Sequence, residues 1–466
     1  MIVGNTLQAA IARAGSAHAL LWESQTPAAV ISGLTPEFTN WRDEQLAWRR
    51  TSVLFDQCHH MWNLNIKGPD ALKLIRDTAI NSTEYFPVNA AKQYVAVSGE
   101  GFLIGDNILF RNEEDEFQAV GMAATMNWLE YHAATGGYDV ELWSDTPSAL
   151  RAGPPKVYRY EVQGPGALDV IQDAIEGELP TVKFFHGTRV RIAGKEVRAL
   201  RHGMAGEPGF EFVGPWVDHE AVHEALLKAG ARHDMVQVGG RAYLTNTLES
   251  GWLPRPLPAI FTGDSTNDHR QWLSASSHDA RASLGGSFYS ENIEDYYFTP
   301  FDLGYGRILK LDHDFIGRDA LETQLEDGTA EANRKVTLVW NRDDTAEAFG
   351  SMFDVEIGAK YFNLPLANYA TYQYDRVETT GGTYAGRSNY VGYSANERSM
   401  LSIAVVDAAN AEPGTEVTVL WGEGKPSSKV QVEDHRQVRI RATVQPAPLV
   451  AKARTDYRSN APLTSA

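Results

Sequence analysis

The sequence predicts an α+β protein made of two related α+β lobes followed by a C-terminal antiparallel β domain. Two observations carry this. Residues 64–75 read LNIKGPDALKLI and residues 160–171 read YEVQGPGALDVI. Each is a short alternating strand, a Gly-Pro turn and a helix start with apolar residues at helical spacing. Pro69 and Pro165 are expected in the first helical turn, where a missing N–H costs nothing. From Lys335 onward the chain breaks into the runs KVTLVW, GRSNYVGYS, LSIAVV, TEVTVLW, KVQVE and VRIRATV. These alternate at strand length, and Pro413-Gly414 makes a turn between two of them. Such runs close into a small barrel or a sandwich.

A chain of 466 residues has room for two or three domains. The stretch 146–157, TPSALRAGPPKV, is rich in Pro, Ala and Gly and reads as a linker between the lobes. Residues 259–300 show no clear periodicity and are expected to include long loops. The division is therefore 1–330 for the two lobes, 331–450 for the β domain and 451–466 for a loosely ordered tail.

The formal net charge of -18 disfavours non-specific binding to nucleic acid or to an anionic membrane. An anionic ligand would need a local basic pocket. Cys58 is the single cysteine, which excludes an internal disulfide and a multi-cysteine metal site. The segment MIVGNTLQAAIARAG lacks a basic start and a long apolar run, and no stretch has the length of a membrane span. A reducing cytoplasm is the expected location. The 11 Trp and 19 Tyr fit either interior packing or a flat ligand.

Three segments could carry chemistry. His59 and His60 are adjacent, so in a strand they point to opposite faces and cannot share one metal. Either one of them is functional or both are structural, and no metal is expected. Arg201 to Glu211 packs three glycines into a turn before a strand. Glu211 could accept two N–H bonds from a flat heterocycle, or be a solvated residue of a hairpin. Gly239 to Trp252 has helical spacing with a glycine stop, and its Tyr243 and Trp252 could be core.

Taken together the segments resemble the T-protein (aminomethyltransferase) family. That family's LFD-x-SH run is matched by Leu54-Phe55-Asp56-Gln57-Cys58-His59. Its GPDA run is matched by Gly68-Pro69-Asp70-Ala71, its R-x-GYTGE-x-GFE run by Arg201 to Glu211, and its ARD-x-LRLEAG run by Ala242 to Gly251. Its DFIGR-x-AL run is matched in full by Asp314 to Leu321. Within the family the chain looks most like the tetrahydrofolate-dependent O-demethylases of vanillate and 3-O-methylgallate. The supporting stretches include His59-His60-Met61, Arg201 to Gly206 and Asn246 to Trp252.

The resemblance implies two lobes that interleave in sequence and a β-barrel domain, arranged as a ring around folate. It implies tetrahydrofolate as cofactor, a small aromatic methyl ether as substrate, and no obligate protein partner. Tyr243 stands where the T-protein has an arginine, and would donate to the ether oxygen; its pKa of about 10 would match a phenol leaving group. Gln57, His59 and His60 would line the aryl pocket. Glu211 would grip the pteridine edge and Trp252 would pack on the folate, with Val120 and Arg201 as further cofactor neighbours. Asp106 falls on the family's catalytic aspartate, or is an ordinary turn residue.

Two departures bear on the substrate. Met122 follows Val120-Gly121 where the vanillate enzymes hold a benzoate carboxylate with an arginine, and Ala29 replaces a pocket tyrosine. The expectation is a chlorinated 2-methoxybenzoate of the dicamba type, with vanillate-, syringate- and guaiacol-type ethers as alternatives. An aminomethyltransferase, a folate-dependent oxidase domain and a non-catalytic folate-binding scaffold are the other classes.

Overall fold

The computed structural model describes residues 4–28, 30–354 and 356–455. The two Gly-Pro units fold alike. Strand Trp62–Lys67 leads into helix Ala71–Thr78, and strand Val157–Gln163 into helix Ala167–Ala174. Gly68 and Gly164 take φ of 141° and 125°. A Cβ there would lie 2.4 Å from the Asp139 carbonyl oxygen and 2.7 Å from that of Thr51. Only glycine combines such a φ with such an approach. The helices begin after N-caps Asp70 and Gly166, so both prolines lie in the turn ahead of the helix and not inside its first turn.

Each unit belongs to its own sheet. One sheet has five strands in the order 90–97, 103–113, 116–121, 62–67, 141–145, and the other has six in the order 235–238, 52–56, 157–163, 209–215, 195–201, 187–192. Ser52–Asp56 pairs antiparallel with Val157–Gln163 and parallel with Met235–Val238. The five-stranded sheet is thus inserted between the first and second strands of the six-stranded one. The stretch 146–157 joins the last strand of the former to an inner strand of the latter. It is pinned by Arg151, which pairs with Asp145 at 3.1 Å and donates to Ser148 at 2.8 Å.

The C-terminal runs close into a six-stranded antiparallel barrel. It is filled by Leu338, Val377, Val391, Val419, Trp421 and Ile440. One expected strand, KVQVE, is absent: Lys429 is buried with its ammonium on the Trp22 carbonyl, and a turn follows with Val430 exposed. Residues 259–300 contain the short helix Asn267–Trp272 among turns and single-turn helices. The start of the expected tail is a helix, Ala451–Thr455, held because Ala453 is buried and Lys452 pairs with Glu207 at 2.5 Å. Positions 456–466 lie outside the described residues.

Candidate active site

Tyr243 is set in place by a buried scaffold. Gly239, the N-cap of helix Gly240–Tyr243, donates its N–H to the fully buried Glu44 at 2.9 Å. Glu44 also accepts from the backbone of Phe38 and Thr39. The helical spacing expected over 240–250 breaks after Tyr243 and resumes at Asn246–Ser250. At the break Thr245 Oγ1 donates to the Ala242 carbonyl and Asn246 Nδ2 to that of Tyr243, side-chain bonds that compete with helix propagation. Gly251, at φ 68°, ends the segment. The Tyr243 ring lies between Phe55, edge-on at 5.4 Å, and His60, edge-on at 4.6 Å.

Tyr243 opens on a cavity of about 660 Å³ that also exposes Gln57, His60, Asp106, Val120, Met122, Glu211 and Trp252. Eight sequence-predicted residues thus share one space. Two do not border it. His59 turns its Nδ1 to Ser148 Oγ at 2.9 Å and its Nε2 toward Asp56 at 3.5 Å. Arg201 is buried and donates to the Val182 carbonyl at 2.8 Å. Ala29 lies outside the described residues.

The polar groups of the wall are organised by the sheets. Glu161 and Glu211 stand opposite each other across neighbouring strands, both buried, and Arg159 sits two residues before Glu161 on the same face. The Arg159 guanidinium binds Glu211 and donates to Gln118 at 2.9 Å. Gln57 Nε2 and the Met204 N–H donate to Glu161 at 2.6 and 2.9 Å. Glu161, Glu211 and His202 also bring ligand atoms within 4.8 Å of one another, a grouping that sequence spacing did not reveal. Asp106 accepts from Gln93 Nε2 at 2.8 Å and from the Trp252 indole at 3.0 Å, so it lies in a strand and braces Trp252.

Burial dominates the proton affinities. It holds the His60 imidazole neutral, pushed down to about 3. It raises the Asp106 carboxyl above its usual range against the bonds from Gln93 and Trp252. It raises the Tyr243 phenol well above 10, helped by Glu161, Glu211 and Asp56. The phenol is therefore a poorer acid than its ordinary value implies: it can donate a hydrogen bond but resists giving up the proton.

Several lining residues escaped the sequence reading: Gln93, Asn107, Arg159, Phe184, Phe185 and Arg255. Phe185 holds φ 57°, uncommon for an aromatic, and stacks on His202 at 5.2 Å. The run Phe184-Phe185 offered one signal, an aromatic pair just ahead of the strand Gly187–Ile192. Both amide atoms of buried Asn107, Gln57 Oε1, Thr247 Oγ1 and His60 Nδ1 have no hydrogen-bond partner among the described residues. Orphaned donors and acceptors on the wall of one large cavity suit a polar guest.

Residues 14–254 match the model of the GCVT N-terminal domain. A syringate O-demethylase from a Sphingobium species is 46% identical over 98% of this chain and 98% of its own length. The chain belongs to the GCVT family. A sesamin methylene transferase from a Sinomonas species, another relative, is 31% identical over 86% of this chain and 89% of its own. The glycine cleavage system aminomethyltransferase T of Bartonella henselae superposes with a TM-score of 0.61 at 18% identity, covering 92% of this chain and 95% of that one. That likeness is one of fold. With the family come its enzyme class, a methyltransferase, and its cofactor, tetrahydrofolate. The cavity's orphaned amide and hydroxyl groups fit such a pterin. No helix among the described residues is long and apolar enough to cross a membrane.

Proposed function

We propose that the protein demethylates an aryl methyl ether, a methoxybenzoate, with tetrahydrofolate as the methyl acceptor. One observation carries this: Tyr243 and His60 meet at the wall of the same cavity that Asp106, Trp252 and Glu211 border, so an aryl ether and a pterin can share one space. Its volume of about 660 Å³ lies within the range of roughly 300–1,000 Å³ usual for ligand sites.

Tetrahydrofolate, when bound, supplies an amine nitrogen that takes the methyl group, leaving 5-methyltetrahydrofolate and a phenol. The chain supplies position, dryness and one well-aimed donor. The Tyr243 hydroxyl donates toward the ether oxygen as the carbon–oxygen bond breaks and its electron pair stays on oxygen. Its raised pKa keeps that proton on tyrosine, so the phenoxide becomes the phenol by taking a proton from solvent, which receives the one the methylated amine gives up. Neutral His60 packs against the phenol ring and offers an unpaired Nδ1. Asp106 and Gln93 fix the Trp252 indole as a flat wall, and Arg159 balances the charge of Glu211, which lines the cavity.

The syringate O-demethylase relative favours a 3,5-dimethoxy-4-hydroxybenzoate as substrate. Met122, an apolar side chain on the wall, favours a second reading, a chlorinated 2-methoxybenzoate. The experiment is a panel of methoxyaromatics incubated with tetrahydrofolate, with 5-methyltetrahydrofolate and the phenol quantified. Syringate and 3,6-dichloro-2-methoxybenzoate decide between the two readings by their kcat/KM. Failure of every methoxyaromatic to yield 5-methyltetrahydrofolate overturns both.

A further inference from the structure

The cavity holds a cation that these roles leave unused. Arg255, three residues past Trp252, is half-buried in the wall and has neither a carboxylate nor a hydrogen-bond partner among the described residues. The other basic side chains that line the space differ from it. Arg159 is bound to Glu211 and Gln118, and Lys92 to the Ser82 carbonyl at 2.7 Å. Arg307 and Lys310 are exposed.

A guanidinium drawn partly out of water without a partner carries an uncompensated desolvation cost. Elsewhere this chain gives its withdrawn arginines bonded partners, a carboxylate for Arg151 and Arg159 and backbone carbonyls for Arg270 and Arg387. The acids near the aryl end are already engaged. Asp56 accepts from the Cys58 N–H, Glu161 from Gln57 and Met204, and Glu211 from Arg159. None of them is bonded to Arg255. Arg255 nonetheless lines the same cavity as His60, Tyr243 and Tyr390. The chain's net charge of -18 repels anions at long range, so an acidic substrate needs a cation at close quarters.

We propose that Arg255 anchors the substrate's carboxylate and thereby selects methoxybenzoates over neutral methoxyphenols. This rests on the demethylase reading for its substrate class. A guanidinium meets a carboxylate through two parallel N–H donors, which fixes the ring's orientation as well as its affinity. The rest of the ring then points its methoxy group to where Tyr243 can donate.

The test is equilibrium binding, followed by calorimetry, of two matched pairs. One is syringate with 2,6-dimethoxyphenol, and the other is 3,6-dichloro-2-methoxybenzoate with 2,5-dichloroanisole. The unmodified protein, Arg255→Ala and Arg255→Lys are compared, with turnover in tetrahydrofolate measured in parallel and the thermal midpoint as a check of folding. The expected result is that the unmodified protein prefers the acid of one pair by on the order of 30-fold, as for a hydrogen bond to a charged group. Arg255→Ala abolishes that preference without weakening the neutral partner, and Arg255→Lys restores part of it. No preference in either pair, or an acid preference that survives Arg255→Ala, overturns the proposal. So does equal weakening of acid and neutral compound. Acid binding that depends on Arg255 with no methyl transfer would sink the demethylase reading and leave the anchor standing. Turnover with acid binding indifferent to Arg255 would do the reverse.

Discussion

The imidazole of His60 meets the phenol ring of Tyr243 nearly edge to face, with centroids 4.6 Å apart and planes at 69°. Both groups are held in uncharged forms by burial, one base pushed down and one acid pushed up. The pair therefore presents a neutral donor beside a neutral ring, an arrangement that stabilises charge developing on an oxygen without a prior proton transfer. Tyr243→Phe keeps the ring and its contacts with Phe55 and His60 but removes the donor. Turnover should fall by about 10²–10³-fold, as for other lost oxyanion donors. Tetrahydrofolate affinity, read from tryptophan quenching, should stay unchanged. Near-normal turnover would remove the hydroxyl from the chemistry.

Neutral His60 also leaves a mark on stability. Its folded-state pKa of about 3 lies below the usual value near 6.5, so the unfolded chain binds the extra proton between those limits. The contribution is complete above pH 6.5 and drains as pH falls toward 3, at about 1.4 kcal/mol per pH unit. His132 and His269, each pushed down to about 4, act in the same sense. Asp375, raised by burial to about 6, acts in the opposite one. In urea unfolding at pH 7.5 and 5, His60→Gln should lose less stability on acidification than the unmodified protein. An unchanged pH slope would show that the imidazole is charged or open to solvent in the fold.

The extent to which the molecule was legible in its sequence follows the range of the interactions. The Gly-Pro units were readable because strand alternation, a positive-φ glycine and helical spacing are all local. The same holds for five of the six barrel runs. KVQVE misled because its alternation is genuine, while burial of Lys429 against Trp22, some four hundred positions earlier, overrides it. The insertion of one sheet within the other could not be read, because the pairing of Ser52–Asp56 with Val157–Gln163 spans about a hundred residues. It entered as an implication of the family resemblance. The same gap hid parts of the site. Glu161 and Arg159 look like ordinary alternating strand residues until the register sets them beside Glu211, and Arg255 sits between Pro254 and Pro256, ahead of the stretch read as loops. His59 and Arg201 belong to the matched motifs, yet their side chains are spent on Ser148 and on the Val182 carbonyl.

The two Gly-Pro turns make a matched pair of stability predictions. Gly68→Ala must place a Cβ 2.4 Å from the Asp139 carbonyl oxygen at φ 141°, and Gly164→Ala one 2.7 Å from that of Thr51 at φ 125°. Each contact is with backbone, so neither can be relieved by a side-chain rotation. Each substitution should cost about 3 kcal/mol in urea unfolding, the upper part of the range for a residue forced into a glycine-only region. Gly137→Ala is the control, since its φ of 72° is positive but nothing lies within 4 Å of the added carbon. It should cost about 1 kcal/mol, the strain without the clash. Equal losses at all three positions would show that conformation alone, and not close approach, fixes glycine in the turns.

Asp106 separates a structural role from a chemical one. Its carboxylate holds both Gln93 and the Trp252 indole, and its raised proton affinity comes from the same burial that makes those bonds count. Asp106→Asn keeps a carbonyl oxygen that can accept from the indole. Asp106→Ala leaves Nε1 of Trp252 and the Gln93 amide without their acceptor, a loss of about 1–3 kcal/mol. If Asp106 acts by shaping the wall, tetrahydrofolate binding should weaken by about tenfold in Asp106→Ala and much less in Asp106→Asn. Turnover at saturating cofactor should then change little in the asparagine variant. The measurement is cofactor titration followed by tryptophan quenching, paired with single-turnover methyl transfer. Normal binding with abolished transfer in Asp106→Asn would instead assign the carboxylate to the reacting atoms, because only the charge and the proton, not the bracing oxygen, differ between the two side chains.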